Sequence, residues 1–237
     1  MTTSAQTDHP HRSAFQEEHP VSSFTHAARA RFGALMLAVA GVCFVLYPAL
    51  RPFSDEITLA GARAFASNAW FASHLLAMIG FILLALGMLA LHGALQQTTA
   101  EQPAFWALVT TWVGAGLTLP YYGAEDFALR AIGLEAIRQQ SASLLVLANA
   151  TRYGPGVYVF VSGLLLLAVG TILAAVAVWR SGAFARWSGL PLALGFVLFI
   201  PQFFANQPIR VAHGALVAAG CLWLAAGLWR WSRQRIA

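Results

Sequence analysis

Charge is what this sequence has least of: 10% of its 237 residues are Asp, Glu, Lys or Arg, against 59% hydrophobic. A water-soluble domain wets its surface with roughly a quarter of its residues charged, so the composition argues against a soluble globule, and a mean hydropathy of +0.66 agrees. Lysine is absent, and all 14 basic residues are arginine. They stand singly or in twos and threes beside apolar runs instead of clustering on one stripe, which makes the high pI of about 9.9 a sign of membrane topology and not of nucleic-acid binding. Cysteine is nearly absent too. Cys43 and Cys221 each lie inside an apolar run, which leaves no disulfide framework and no C-x-x-C metal or redox site. Nor is there a P-loop, a dinucleotide fingerprint, a G-x-S-x-G elbow or an H-E-x-x-H pair. ATP-driven work and the common hydrolase chemistries are therefore not expected of this chain.

What the sequence has instead is long apolar runs separated by short polar ones. A helix needs about 20 apolar residues to cross ~30 Å of hydrocarbon, and six runs approach that length: 32–50, 70–95, 104–122, 157–179, 187–204 and 211–229. The fifth is the shortest and contains Pro191 and Pro201, which predicts a kink. The runs are too long and too continuously apolar for barrel strands. The expected fold is an all-α integral membrane protein, with a six-helix domain over 31–237 behind a disordered polar tail over 1–30. The tail carries His9, His11, His19 and His26 at irregular spacing, which points to a solvated segment without a defined metal site. All-arginine, alanine-rich usage and short loops suggest a bacterial inner membrane.

Six spans put both termini on one side, and Arg230, Arg233 and Arg235 after the last span, with Arg29 and Arg31 before the first, place that side in the cytoplasm. The outer arginines keep acidic company, Asp55 and Glu56 in the first outer loop and Glu125, Asp126 and Glu135 in the second. That second loop reads as an amphipathic helix between spans three and four. Asp126 with Arg130 and Glu135 with Arg138 are ion pairs at helical spacing, and Phe127, Ala131, Leu134 and Ile137 form the apolar stripe. Glycines recur every seven residues in the three inward-running spans: Gly80 and Gly87; Gly156, Gly163 and Gly170; Gly220 and Gly227. Such stripes let helix backbones approach closely in lipid and hint at three hairpins around one axis.

An ionisable group inside a span is a functional candidate, because inserting one costs ~2.5–3.5 kcal/mol or more. His74 and His213 qualify, at similar depth below the outer face. Near that depth come Tyr121, Tyr122, Glu125 and Asp126 at the end of the third span, with Arg130 beyond them and Arg210 one turn before His213. These eight residues are the expected lining of an outward-facing cavity for a small amphiphile or anion, with the bilayer as the chain's other partner. The plain alternative is that each polar group reaches headgroups or a neighbouring helix on its own. A zinc hydrolase would draw on His74, His213 and Asp126, and a b-type haem on the two histidines. A structural subunit of a membrane complex is the remaining alternative. No cofactor and no protein partner is named by these residues.

Overall fold

The computed structural model describes residues 20–235. Among them the chain is helical without a strand: α1 (Pro20–Leu50), α2 (Leu59–Ala66), α3 (Asn68–Leu95), α4 (Glu101–Gly123), a π-turn (Ala124–Ala128), α5 (Leu129–Arg138), α6 (Leu145–Tyr153), α7 (Gly156–Ser181), α8 (Leu190–Val197), a 3-10 turn (Pro201–Phe204) and α9 (Gln207–Gln234). The expected tail lies largely outside the described residues, and from Pro20 the backbone is already helix. Four helices, α1 from Thr25, α3, α7 and α9, are long and apolar enough to cross a membrane. The other two expected spans differ. α4 has 23 residues, but Thr110, Thr111, Thr118, Pro120 and two tyrosines dilute its hydropathy. The fifth run is divided. Pro201 has no N–H to give and its ring crowds the carbonyl one turn back, so α8 stops after eight residues and the chain continues in tighter turns.

Six helices close a ring in the order α1, α3, α4, α7, α8, α9 and back to α1. Small residues set the spacing. A Cβ on Gly163 would lie 2.6 Å from Thr118 Oγ1 and 2.8 Å from the Gly114 carbonyl, so α4 and α7 touch backbone to backbone. Gly80 and Gly87 receive Phe44 and Leu37 of α1, and Gly220 meets the α8 backbone at Leu192, whereas Gly156 has open space beside it. Inside the ring Phe44, Phe81, Phe196 and Phe199 are at most 2% exposed and pack edge to face, tilted or stacked.

The short helices cover one end of the ring. Thr58 and Ser67 cap α2 and α3 by accepting from the N–H groups of Ala60 and Trp70. α5 lies on α2, with Gly133 against Ala62 and Phe65, over a small core that includes Trp70, Leu129, Ala136 and Leu145. This corrects two expectations for the outer loop. The buried face of α5 is Leu129, Gly133 and Ala136, while Phe127 and Leu134 of the expected stripe are more than half exposed. The small residues face inward because α2 approaches too closely for a Leu or Phe. The Asp126–Arg130 ion pair does not form. The π-turn takes an extra residue per turn and rotates Asp126 off the face of Arg130, which donates instead to the Ser67 carbonyl and to Asn68 Oδ1. Glu135 and Arg138 do pair, at 2.5 Å.

Candidate functional site

The site begins with the cap on α3. Ser67 starts that helix so that Trp70 and His74, one turn apart, fall on the same inward face, and their rings stack at 4.4 Å. The Trp70 carbonyl accepts from Ser73 Oγ at 2.8 Å and from His74 Nδ1 at 2.9 Å. The Trp70 indole N–H donates to the Glu125 carbonyl at 2.8 Å, which ties α3 to the π-turn.

From the π-turn the Glu125 carboxylate faces Arg152 of α6, whose guanidinium grips it in a fork, Nε to Oε1 at 2.7 Å and Nη2 to Oε2 at 2.9 Å. Arg152 Nη1 reaches Glu56, whose other oxygen accepts from Arg51 at 2.8 Å. The result is an alternating chain, Arg51, Glu56, Arg152, Glu125, drawn from the end of α1, the first outer loop, α6 and the π-turn. Arg152 and Glu125 are 8% and 9% exposed, and Arg51 lies 4.4 Å over the Trp70 ring. Burial alone would raise the Glu56 carboxyl, but the guanidiniums of Arg152 and Arg51 outweigh it and hold the group below its ordinary value. Burial likewise opposes the charge on Arg152, and Glu125 and Glu56 more than offset it, so the guanidinium stays charged.

Glu56 reaches this position at a backbone cost. Its φ is +58°, the left-handed region that costs a residue with a side chain ~1–2 kcal/mol. Asp55 accepts from the N–H groups of Ile57 and Thr58 on its far side, and Gly61 leaves room for the Glu56 backbone, whose Cα and carbonyl carbon a Cβ there would strike. Strain held in place by such a turn marks a site where the side chain's position matters.

The charged chain forms one wall of a cavity of about 370 Å³. His74, Tyr47, Tyr121 and Tyr122 add to that polar lining, and the apolar lining is Val157, Phe160 and Val161 of α7 with Ile200, Phe203 and Phe204 at the 3-10 turn. Tyr121 stacks on Phe160 at 4.1 Å. Tyr153 and Phe204, 75% and 89% exposed, stand at the mouth.

Two atoms of the polar wall are unusual. The Trp70 carbonyl can only accept, so His74 carries its proton on Nδ1, and Nε2 stands 3.6 Å from Glu125 Oε2. Tyr122, 2% exposed, has a hydroxyl with no hydrogen-bond partner. Tyr47 comes close enough for the two hydroxyls to feel each other, but no bond of acceptable geometry joins them.

Of the eight residues expected from the sequence, His74, Tyr121, Tyr122 and Glu125 line this cavity. His213 and Arg210 line a neighbouring water-sized crevice that shares Tyr47. His213 Nε2 bonds the Gly195 carbonyl at 2.7 Å. The kink before Pro201 frees that carbonyl, because the Phe199 N–H turns to Phe196 instead. Arg210 donates to the Ala205 and Phe203 carbonyls of the same broken segment. Both side chains thus satisfy backbone that Pro201 leaves open, the usual way a bundle tolerates such a break. Asp126 and Arg130 do not line the cavity. Asp126 is fully buried with both oxygens unpartnered, and burial raises its carboxyl to about 6 against the pull of Arg130. Among the described residues no three His, Cys, Asp or Glu gather as a metal site, and His74, His213 and Asp126 are no exception.

Sequence reasoning did not single out Arg51, Glu56, Arg152, Tyr47 or Trp70. The available signal was the balance of arginine and acid in the two outer loops. Comparison of the chain with protein-family profiles, with curated proteins and with solved structures gave no match.

Proposed function

We propose that this chain is a six-span integral membrane protein whose outer end binds one small amphiphile. The observation that carries the reading is the cavity itself, whose lining joins charged and hydroxylated side chains to apolar ones, the two chemistries an amphiphile presents. Membrane residence draws support from the outside of the ring, where Phe32, Leu35, Val42, Trp112, Leu165 and Leu222 are exposed with no polar shell. α8 with its following turns serves as the fifth span, broken at Pro201. Binding is favoured over passage because Phe44, Phe81, Phe196 and Phe199 fill the ring and leave no channel through that cluster.

Solvent extraction of the protein purified in nanodiscs tests the site. A stoichiometric amphiphile should co-purify with the wild type and be lost from Val161→Trp, which fills the apolar wall; equal retention would overturn the reading. Orientation is tested with a membrane-impermeant maleimide, since both native cysteines are buried. Ser143→Cys should label in intact cells and Ala183→Cys only after permeabilisation, and the reverse pattern would invert the topology.

A further inference from the structure

We infer that a second cavity, at the other end of the bundle, holds the head of one anionic phospholipid and the start of an acyl chain. It lies in the seam between the start of α1 and the end of α3 and has a volume of about 270 Å³. The seam is roomy because its residues are small. Ala30, Ala90, Gly93 and Ala94 line it, and a Cβ on Gly93 would meet nothing within 4 Å. The two helices still touch at Gly33 and Ala90, where an added Cβ would clash, so the space is a local recess and not a gap between them.

Two observations name the ligand. The first is a gradient of polarity. Along α1 the lining changes from His26 and Arg29 to Phe32, and along α3, read back from its end, from Gln96 and His92 to Leu89 and Leu86. Both helices thus pass from polar to apolar in the same direction, toward the middle of the bundle. At 1.5 Å per residue, Gln96 and Leu86 are about 15 Å apart along the helix, room for a head group and the upper part of a chain. Phe32 and Leu89 are 53% and 45% exposed, so the apolar part opens on the outside of the ring, where a chain enters from the bilayer. The second observation is charge. Arg29 is exposed and, among the described residues, has neither an ion pair nor a hydrogen-bond partner. No carboxylate lines the recess, and Glu101 lines a separate crevice that shares His92. One fixed positive charge calls for one negative charge, which a phosphate diester carries, and basic pockets between helices at the cytoplasmic side take acidic lipid heads. The outer cavity differs, because its arginines are already held by glutamates. The inference takes membrane residence and orientation from the reading above and is independent of the outer cavity's ligand.

Native mass spectrometry of the full chain in detergent tests the site, with phosphatidylglycerol and phosphatidylcholine of the same acyl chains titrated in turn. One phosphatidylglycerol should bind, and more tightly than phosphatidylcholine, whose choline cancels the phosphate charge. Arg29→Gln should lower phosphatidylglycerol affinity by about tenfold, the worth of one charge-assisted hydrogen bond. Gly93→Leu sends a side chain into the open recess and should weaken both lipids without lowering the unfolding midpoint. Arg235→Gln removes the same charge from the same end outside the recess and should leave the affinity unchanged. Excess inorganic phosphate should not displace the lipid; displacement would assign the recess to free phosphate and overturn the inference. Equal binding of the two lipids, an unchanged Arg29→Gln, or an equal fall with Arg235→Gln would overturn it as well. None of these outcomes touches the outer amphiphile, whose own variant, Val161→Trp, lies at the opposite end.

Discussion

The two ends of this bundle use arginine differently. At the end covered by α2, α5 and α6, Arg51, Arg138 and Arg152 hold carboxylates, while Arg63, Arg130 and Arg210 have no ion pair among the described residues. At the other end the guanidiniums lie on tryptophan: Arg31 over Trp229, Arg186 over Trp179 and Trp187, Arg235 over Trp231. Among the described residues no ion pair joins Arg29, Arg31, Arg180, Arg186, Arg230, Arg233 or Arg235. A paired arginine brings no net charge to its side of a membrane, whereas an unpaired one does. Seven arginines without an ion pair thus gather at the tryptophan-rich end, against three at the other, and the proposed orientation, with the tryptophan-rich end in the cytoplasm, calls for that excess. One residue type builds a site at one end and an interfacial anchor at the other.

The largest effect should come from breaking the built end. Arg152→Leu leaves Glu125 and Glu56 facing each other in a buried wall, and loss of one partner from a buried ionic cluster costs about 3–5 kcal/mol. Thermal unfolding in detergent should show that loss, and the double variant Arg152→Met, Glu125→Gln should recover most of it, because the remaining Glu56 stays paired with Arg51. If Arg152→Leu unfolds no earlier than Arg235→Ala, the two ends are energetically alike and the contrast fails.

Asp126 should give the next largest effect, with the opposite sign. Its carboxyl is raised to about 6 by burial, so the native state binds a proton that the unfolded chain, near 3.8, has already released. Stability therefore falls as pH rises from about 4 to 6, and the full penalty stands at pH 7. Asp126→Asn removes the charge while keeping the shape, and should raise stability at pH 7 and leave it unchanged at about pH 4. Glu56 works the other way, since its lowered value adds stability that is lost as the pH falls. Unfolding followed against pH in both proteins separates the two, because only the Asp126-dependent decline should vanish in the variant. Tyr122→Phe belongs next in size. Without ligand it should raise stability by about 1 kcal/mol, since the hydroxyl it deletes is buried and unpartnered.

How legible these features were depends on the range of the forces that made them. The six-helix ring follows from apolar runs, and the kink from Pro201, because both are properties of consecutive residues. His74, Glu125 and the tyrosines were visible as polar groups at one depth of apolar helices. Arg152 was not, since its meaning comes from Glu56, 96 residues away. α2 was hidden by its small size and by Gly61 and its alanines, which carry no periodic signal until α5 packs on them. The π-turn defeated the helical spacing that pairs Asp126 with Arg130: one added residue sent Glu125 into the cavity and Asp126 into a buried position without a partner. His213 had every sequence mark of a site residue and instead completes the backbone of α8.

The smallest effect should lie at the tryptophan end. Arg186 sits 5.2 and 5.3 Å from the Trp179 and Trp187 ring centres, and both rings are about half exposed. A cation–π contact in such a place is worth about 0.5–1 kcal/mol, so Arg186→Ala should barely move the unfolding midpoint in detergent. A double-mutant cycle with Trp179→Leu measures the contact directly. The charge should matter more than the contact: Arg186→Lys keeps it and should leave Ala183→Cys protected from external label, as should Arg186→Ala while six other free arginines remain at that end. Replacing all seven by asparagine should expose Ala183→Cys in a fraction of molecules at little cost in unfolding midpoint. Replacing the paired Arg51 and Arg152 should do the reverse, lowering the midpoint without inverting the chain. Any variant set that shifts topology from the outer end or stability from the inner end would show that pairing is not what divides the two.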